Sequence, residues 1–236
     1  MTTTAEARGG LGGWKTALAA GLIGALVGGG AVAYGSRQSV RDYLLENPEV
    51  LPEAMDRLRE RQAARVVSLN RAALETPFAG AWAGAKDGDV VLVEFFDYAC
   101  GYCRKSNPDV ERLLREDPKL KVVWREWPVL GPDSEAASRI SLAAAQAGRF
   151  KPFHDRLFAA GRPTPDAVEE TRSALGLGAD LPAATVEQEL AKNFQLARSL
   201  EASGTPTFVV GDQILQGAVG YEVLRQAVQD ARKRST

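Results

Sequence analysis

Cys100 and Cys103 are the only cysteines among 236 residues, and both lie in the stretch FFDYACGYCRKS, residues 95–106. Thiols at this spacing can hold a soft metal ion, close a short loop, or cycle between dithiol and disulfide and so exchange electrons with other proteins. A closed structural zinc site takes four ligands, usually Cys or His, and the chain adds a single histidine, His154, to its two cysteines. An iron–sulfur cluster asks for about four thiolates, which only an oligomer would assemble. Covalent haem attachment needs histidine directly after the second cysteine, where Arg104 stands. Two thiolates do suit copper(I), although Tyr98 occupies the position where copper carriers commonly place methionine. Two cysteines in a chain of this length do not make a disulfide scaffold.

The redox reading depends on what carries the pair. Val90 to Phe96, VVLVEFF, is apolar or aromatic almost throughout without alternation, which predicts a central strand covered on both faces. A helix is expected from the cysteines through Arg115, then a second strand at Leu120 to Glu126. Strand, helix, strand makes a βαβ unit with a parallel pair. A cysteine where strand gives way to helix points its sulfur at unpaired N–H groups and the positive end of the helix dipole. Both favour thiolate. Cys100 is then the accessible nucleophile and Cys103, almost a turn along, the shielded thiol that releases a mixed disulfide. Gly101 and Tyr102 supply the N–H groups between them, and Arg104 and Lys105 add nearby positive charge. Glu94 sits in the strand between Val93 and Phe95, where an ionised carboxylate is costly to bury. It either faces a polar gap or a cation such as Arg125, or it is a carboxyl of raised pKa that relays the Cys103 proton.

The remaining chain frames this unit. A loop with Pro77, Gly80, Gly84 and Gly88 precedes the first strand. From Asp133 to about Ser203 the pattern is helical and Ala-rich, followed by Thr207–Val210, a Gly211-Asp212 turn, Gln213–Leu215 and a closing helix from about Tyr221 to Lys233. Upstream, residues 36–76 form a charged helical section. Asn47-Pro48 there suits an N-cap followed by proline in the first turn, with Pro52 arguing for a helix starting a turn later. Met55, Leu58, Gln62, Val66, Leu69 and Ala73 make an amphipathic stripe that packs on the main body or serves self-association. Thr16 to Tyr34 carries no charge and nears the ~20 residues that span a bilayer. Arg8, Lys15 and the small residues Ala31-Val32-Ala33 suit a cleaved signal, and an uncleaved anchor stays open beside it. A net charge of −1 and a pI near 6.0 provide no general attraction to nucleic acid.

With those residues in view, V-E-F-F-D-Y-A-C-G-Y-C at 93–103, followed far downstream by G-T-P-T-F-V-V at 204–210, resembles the DsbA-like thioredoxin-fold oxidoreductases. The resemblance covers about residues 78–236, with F-H-D-R-L-F around His154, which is taken as a packed helix residue. Val40 to Arg61, VRDYLLENPEVLPEAMDRLRER, is similar to the N-terminal segment of ScsC-type (copper-sensitivity suppressor) members, in some of which it is an oligomerisation stalk. The resemblance implies an α/β thioredoxin-like fold in three parts. Residues 1–35 are a signal peptide or membrane anchor, 36–76 a helical segment, and 77–236 the catalytic domain with a helical insertion at about 131–203. It implies a cis peptide at Thr205-Pro206 against the Cys100 sulfur, leaving the Thr205 backbone to pair with substrate. Pro206 alone would suit an ordinary strand start. The implied activity is disulfide exchange on exported proteins by Cys100 and Cys103, with Glu94 in proton transfer and Gly101, Tyr102, Thr205 and Pro206 facing substrate. The resemblance implies no cofactor beyond the Cys100–Cys103 disulfide and no metal. It further implies a membrane redox partner, a homo-oligomer through 36–76, and a periplasmic site or the outer face of the inner membrane. The Gly-Tyr dipeptide departs from the Pro-His of the family's strongest oxidants, and Thr205 is more usual in isomerase-like members. Isomerase or mixed oxidase/isomerase activity is therefore expected, with copper(I) binding or a dedicated reductase as alternatives.

Overall fold

The computed structural model describes residues 39–234. The signal or anchor expected at 16–34 lies outside the described residues, and among these no helix is long and apolar enough to cross a membrane. The described residues divide into two compact units, one ending at Leu58 and the other beginning at Arg59.

In the first unit, helix α1 (39–46) leads to a turn at Asn47. The Asn47 side-chain amide donates back to the Tyr43 carbonyl at 2.9 Å, so this residue closes α1. The sequence suggested that it would cap the following helix. Helix α2, Val50–Glu75, starts before Pro52, which sits in the first turn, where a missing N–H leaves no bond unmade.

The second unit takes over α2 from Arg59 and continues through β1 (Trp82–Gly84), β2 (Val90–Phe96), α3 (Gly101–Glu116), β3 (Leu120–Glu126), α4 (Pro132–Gln146), α5 (Phe150–Ala160), α6 (Pro165–Ala174), α7 (Ala183–Ser199), β4 (Thr207–Val210), β5 (Gln213–Gln216) and α8 (Tyr221–Arg234). The sheet order is β1-β3-β2-β4-β5, with only β2 and β3 parallel. This is a mixed α/β thioredoxin-like fold, and both central strands occupy the residues their apolar runs predict. Strand β1 lay in the expected loop. It pairs antiparallel with the edge of β3, and three residues are too few to show alternation. Gly84 ends β1 at φ 89°, where an added Cβ would lie 2.2 Å from the Leu120 carbonyl oxygen.

Alternation in the central strands sorts the core into two layers. Leu92, Phe96, Val122, Trp124, Phe208 and Val210 face α3, α8 and the α4–α6 block. Val93, Phe95, Val123 and Val209 face the other way, against Val67 and Leu74 of α2, Leu196 and Ala197 of α7 and its C-cap residue Leu200. The helical block expected at 131–203 is thus shared between the two layers, and α7 crosses to the far side. The second compact unit begins at Arg59, ahead of the limit expected at residue 77, because this end of α2 supplies one wall of that far layer. Its apolar stripe is also out of phase with expectation. Val67 and Leu74 are buried and Val66 and Ala73 flank them, whereas Leu69 is 78% exposed. Spacings of three and four fit two neighbouring helix phases, and the sheet selects the one centred on Val67 and Leu74. Val67→Ala should therefore lower unfolding stability by about 1–2 kcal/mol. Leu69→Ala should stay within about 0.5 kcal/mol, as urea denaturation would measure.

Candidate active site

Strand β2 ends at Phe96, and a tight turn, closed by the Cys100 N–H donating to the Asp97 carbonyl at 3.0 Å, leads into α3. Cys100 is the N-cap residue of that helix, extended at φ −76° and ψ 115°. Its sulfur takes the place of the oxygen of a capping serine, accepting the Cys103 N–H at 3.4 Å. Helix-start chemistry thus fixes the position of this sulfur. Both thiols are free.

The two sulfurs are driven in opposite directions. The hydrogen bond from the Cys103 thiol brings the Cys100 pKa down to about 5. Burial opposes the shift, while hydrogen bonds from the Thr205 side chain and the Cys103 and Tyr102 N–H groups reinforce it. Cys103, 1% exposed, goes far upward, chiefly through burial, then through its hydrogen bond to Cys100 and the Glu94 carboxylate nearby. One thiol is therefore ionised at neutral pH and the other holds its proton.

The loop before β4 closes the site. Thr205-Pro206 is a cis peptide, and the Cys100 sulfur lies 3.2 Å from the Thr205 carbonyl oxygen. Pro206 is buried and Thr205 half-buried. The Pro206 carbonyl accepts from Gly217 at 2.8 Å, which anchors the loop to the sheet edge. Gly101 is exposed and would tolerate a side chain sterically. Tyr102 is 67% exposed beside the sulfur. Arg104 donates to the Gly161 carbonyl at 2.9 Å, linking α3 to the end of α5.

Glu94 is buried on the α3 side of the sheet and accepts the Trp124 Nε1–H at 2.9 Å across the strand pair. Burial pushes its pKa up to about 8, against the lowering effect of that indole bond. The alternative that Glu94 meets Arg125 is corrected by strand geometry. Arg125 follows Trp124 and so faces the opposite layer, where it pairs with Glu189 at 3.1 Å and donates to Asn193 and to carbonyls at the end of α2. His154 is buried among Phe96, Tyr98, Trp124, Phe150 and Phe158, with ring centroids 4.8–6.0 Å away. Burial lowers its pKa, so the ring is neutral.

Two residues absent from the sequence reading complete the electrostatics. Trp124 is the partner of Glu94. Glu126 is a second buried carboxyl, two residues further along β3; burial raises its pKa to about 8, against the lowering effect of hydrogen bonds from Ser141 and from Ser138 at 2.8 Å. The available signal was the period-two spacing of Trp124 and Glu126, which places both on the face of Glu94 once β2 and β3 pair in register.

A family model described as the DSBA-like thioredoxin domain matches residues 91–229, and one described as the copper resistance protein ScsC N-terminal domain matches 37–65. Among solved structures, a linker-deletion variant of Proteus mirabilis ScsC is 30% identical with a TM-score of 0.70, covering 86% of this chain and 96% of that one. A thioredoxin-like oxidoreductase from Silicibacter pomeroyi is 39% identical with a TM-score of 0.66, covering 70% of this chain and 98% of that one. Among curated proteins, a Na(+)/H(+) antiporter NhaA of Salinispora tropica is 30% identical over 156 residues, 63% of this chain and 24% of the relative. The chain thus spans about a quarter of the length of the curated relatives matched first.

Proposed function

This chain belongs to the DSBA-like thioredoxin domain family, and we propose that it is a periplasmic thiol–disulfide oxidoreductase that exchanges disulfides with cysteine-containing proteins through Cys100 and Cys103. The observation that carries the reading is the N-cap sulfur of Cys100, held near pKa 5 over a buried, protonated Cys103.

The chemistry follows from that asymmetry. In the oxidising direction a substrate thiolate attacks the Cys100 sulfur of the disulfide, the Cys100–Cys103 bond breaks, and Cys103 leaves. A thiolate at Cys103 would be buried and unfavourable, so it takes a proton, and Glu94, neutral below about pH 8 and acting electrostatically on Cys103, would give it. The second substrate thiolate then attacks its mixed-disulfide partner sulfur and expels Cys100 as a stable thiolate. In the isomerising direction the Cys100 thiolate attacks a substrate disulfide and is released when a different substrate thiol, or Cys103, displaces it. The electrons reside in the sulfur pair throughout. Thr205 and Pro206 would line the substrate strand, with Gly101 and Tyr102 at its side. A membrane partner would restore the working redox state.

Isomerase or mixed activity is favoured by Thr205 before the proline and by the ScsC-like segment at 37–65, which supports assembly of several catalytic domains through residues 36–76. The same match supports a second reading, copper(I) held by the two thiolates without turnover. Scrambled and fully reduced ribonuclease separate these readings. Recovery of activity from scrambled substrate is the expected result. Recovery from reduced substrate only would select an oxidase. Failure of both, with stoichiometric copper(I) binding, would select the second reading.

A further inference from the structure

The turn that carries the two sulfurs is tied to the helical block through one buried residue. Asp97 is fully buried between the end of β2 and the start of α3. Its carbonyl accepts the Cys100 N–H at 3.0 Å. Its own N–H acts on the Cys103 sulfur, favouring thiolate there against burial. Both redox residues therefore rest on the backbone of Asp97, and its side chain fixes that backbone. Oδ1 accepts the Ala99 N–H at 2.7 Å and the Ser134 hydroxyl at 2.7 Å. Oδ2 accepts the N–H groups of Val129 at 2.8 Å and Leu130 at 3.0 Å. All four partners donate, which suits a carboxylate, an acceptor only.

Helix α4 meets this residue with a buried polar face. Ser134, Ser138 and Ser141 recur at spacings of four and three, which places them on one side of the helix. Ser134 serves Asp97, whereas Ser138 donates to Glu126 at 2.8 Å and Ser141 pairs with the Tyr98 hydroxyl at 2.8 Å. Burial keeps Glu126 neutral at neutral pH, so Asp97 does not face a second anion there.

We propose that Asp97 is a positioning residue for disulfide exchange, its carboxylate locking the turn against α4 and the β3–α4 loop so that Cys103 is held where it closes on Cys100. The proposal rests on the oxidoreductase reading above. A disulfide fixes the spacing of its two cysteines and a dithiol does not. A locked turn therefore favours the disulfide, and a loosened one makes the protein more oxidising. Asparagine accepts through one oxygen only, so either way round it abandons one pair of donors.

The test equilibrates the full chain with glutathione buffers. The Cys100 thiolate displaces one glutathione from its disulfide, and Cys103 gives up its proton and displaces the second from the mixed disulfide. Two electrons and two protons pass from the protein dithiol to two glutathione thiols. Asp97→Asn should lower the equilibrium constant for forming the Cys100–Cys103 disulfide about tenfold, a potential about 30 mV more oxidising, and should slow closure of the mixed disulfide. Ser134→Ala, which removes one donor of four, should shift the constant about threefold in the same direction. Ser138→Ala loses a comparable buried bond without touching Asp97, so it should lose stability in urea and keep the wild-type potential. The Cys100 titration should stay in place in all three. An unmoved potential in Asp97→Asn, equal shifts in Ser134→Ala and Ser138→Ala, or a Cys100 pKa change large enough to account for the shift would overturn the proposal. If Asp97→Asn does not fold, the two serine variants decide. A wild type whose cysteines never exchange with glutathione would instead overturn the oxidoreductase reading, and the proposal with it.

Discussion

Cys103→Ala turns the protein into a trap. Cys100 keeps its N-terminal position on α3 and the N–H of residue 103, so it still attacks disulfides, but the thiol that would displace the bound substrate is gone. Covalent adducts should accumulate and be visible as bands that disappear on reduction. Cys100→Ala should form no adducts and lose at least about a thousandfold in exchange rate, because the remaining thiol is 1% exposed and strongly biased to its protonated form. Adducts on both variants alike would mean that the two sulfurs are equivalent, contrary to their opposite environments.

Glu94→Gln should stabilise the protein and slow it. A carboxyl with a pKa of about 8 when folded and 4.5 when unfolded binds more protons in the folded state between those values. Stability therefore falls as pH rises through that window. By pH 7 the penalty is up to about 3 kcal/mol. Glutamine keeps a carbonyl for the Trp124 indole and has no proton to lose, so the variant should gain most of that amount at pH 7 and nothing below about pH 4. Glu126 has the same direction and window, and the double variant should flatten the pH profile further. The same change removes the proton donor for Cys103, and exchange at neutral pH should fall about a hundredfold. Urea denaturation across pH 4–8, with stopped-flow exchange on the same samples, checks both. Equal stability of wild type and variant at pH 7 would mean that Glu94 is not held neutral.

Much of this site can be read from a few residues. Six apolar positions in Val90–Phe96 and four in Leu120–Glu126 favour buried parallel strands, and a cysteine pair directly after the first strand must sit at a helix start. What was not legible depends on pairing between distant residues. A pairing of Glu94 with Arg125 stayed open beside the proton-relay reading until strand register placed Trp124 on its face and Arg125 on the other. Asp97 reads as a turn former, and only the approach of Val129, Leu130 and Ser134 makes it an anchor. The phase of α2 was ambiguous because Leu69 and Val67 are both apolar, and burial separates them only once the sheet is present.

The central claim is that the Cys103 thiol, helped by the N–H groups at the start of α3, holds the Cys100 sulfur as a thiolate. Ultraviolet thiolate absorbance of the reduced protein as a function of pH, assigned by its loss in Cys100→Ala, measures it directly. The predicted result is a single transition near pH 5. A transition near the ~8.5 of an unperturbed cysteine would contradict the account.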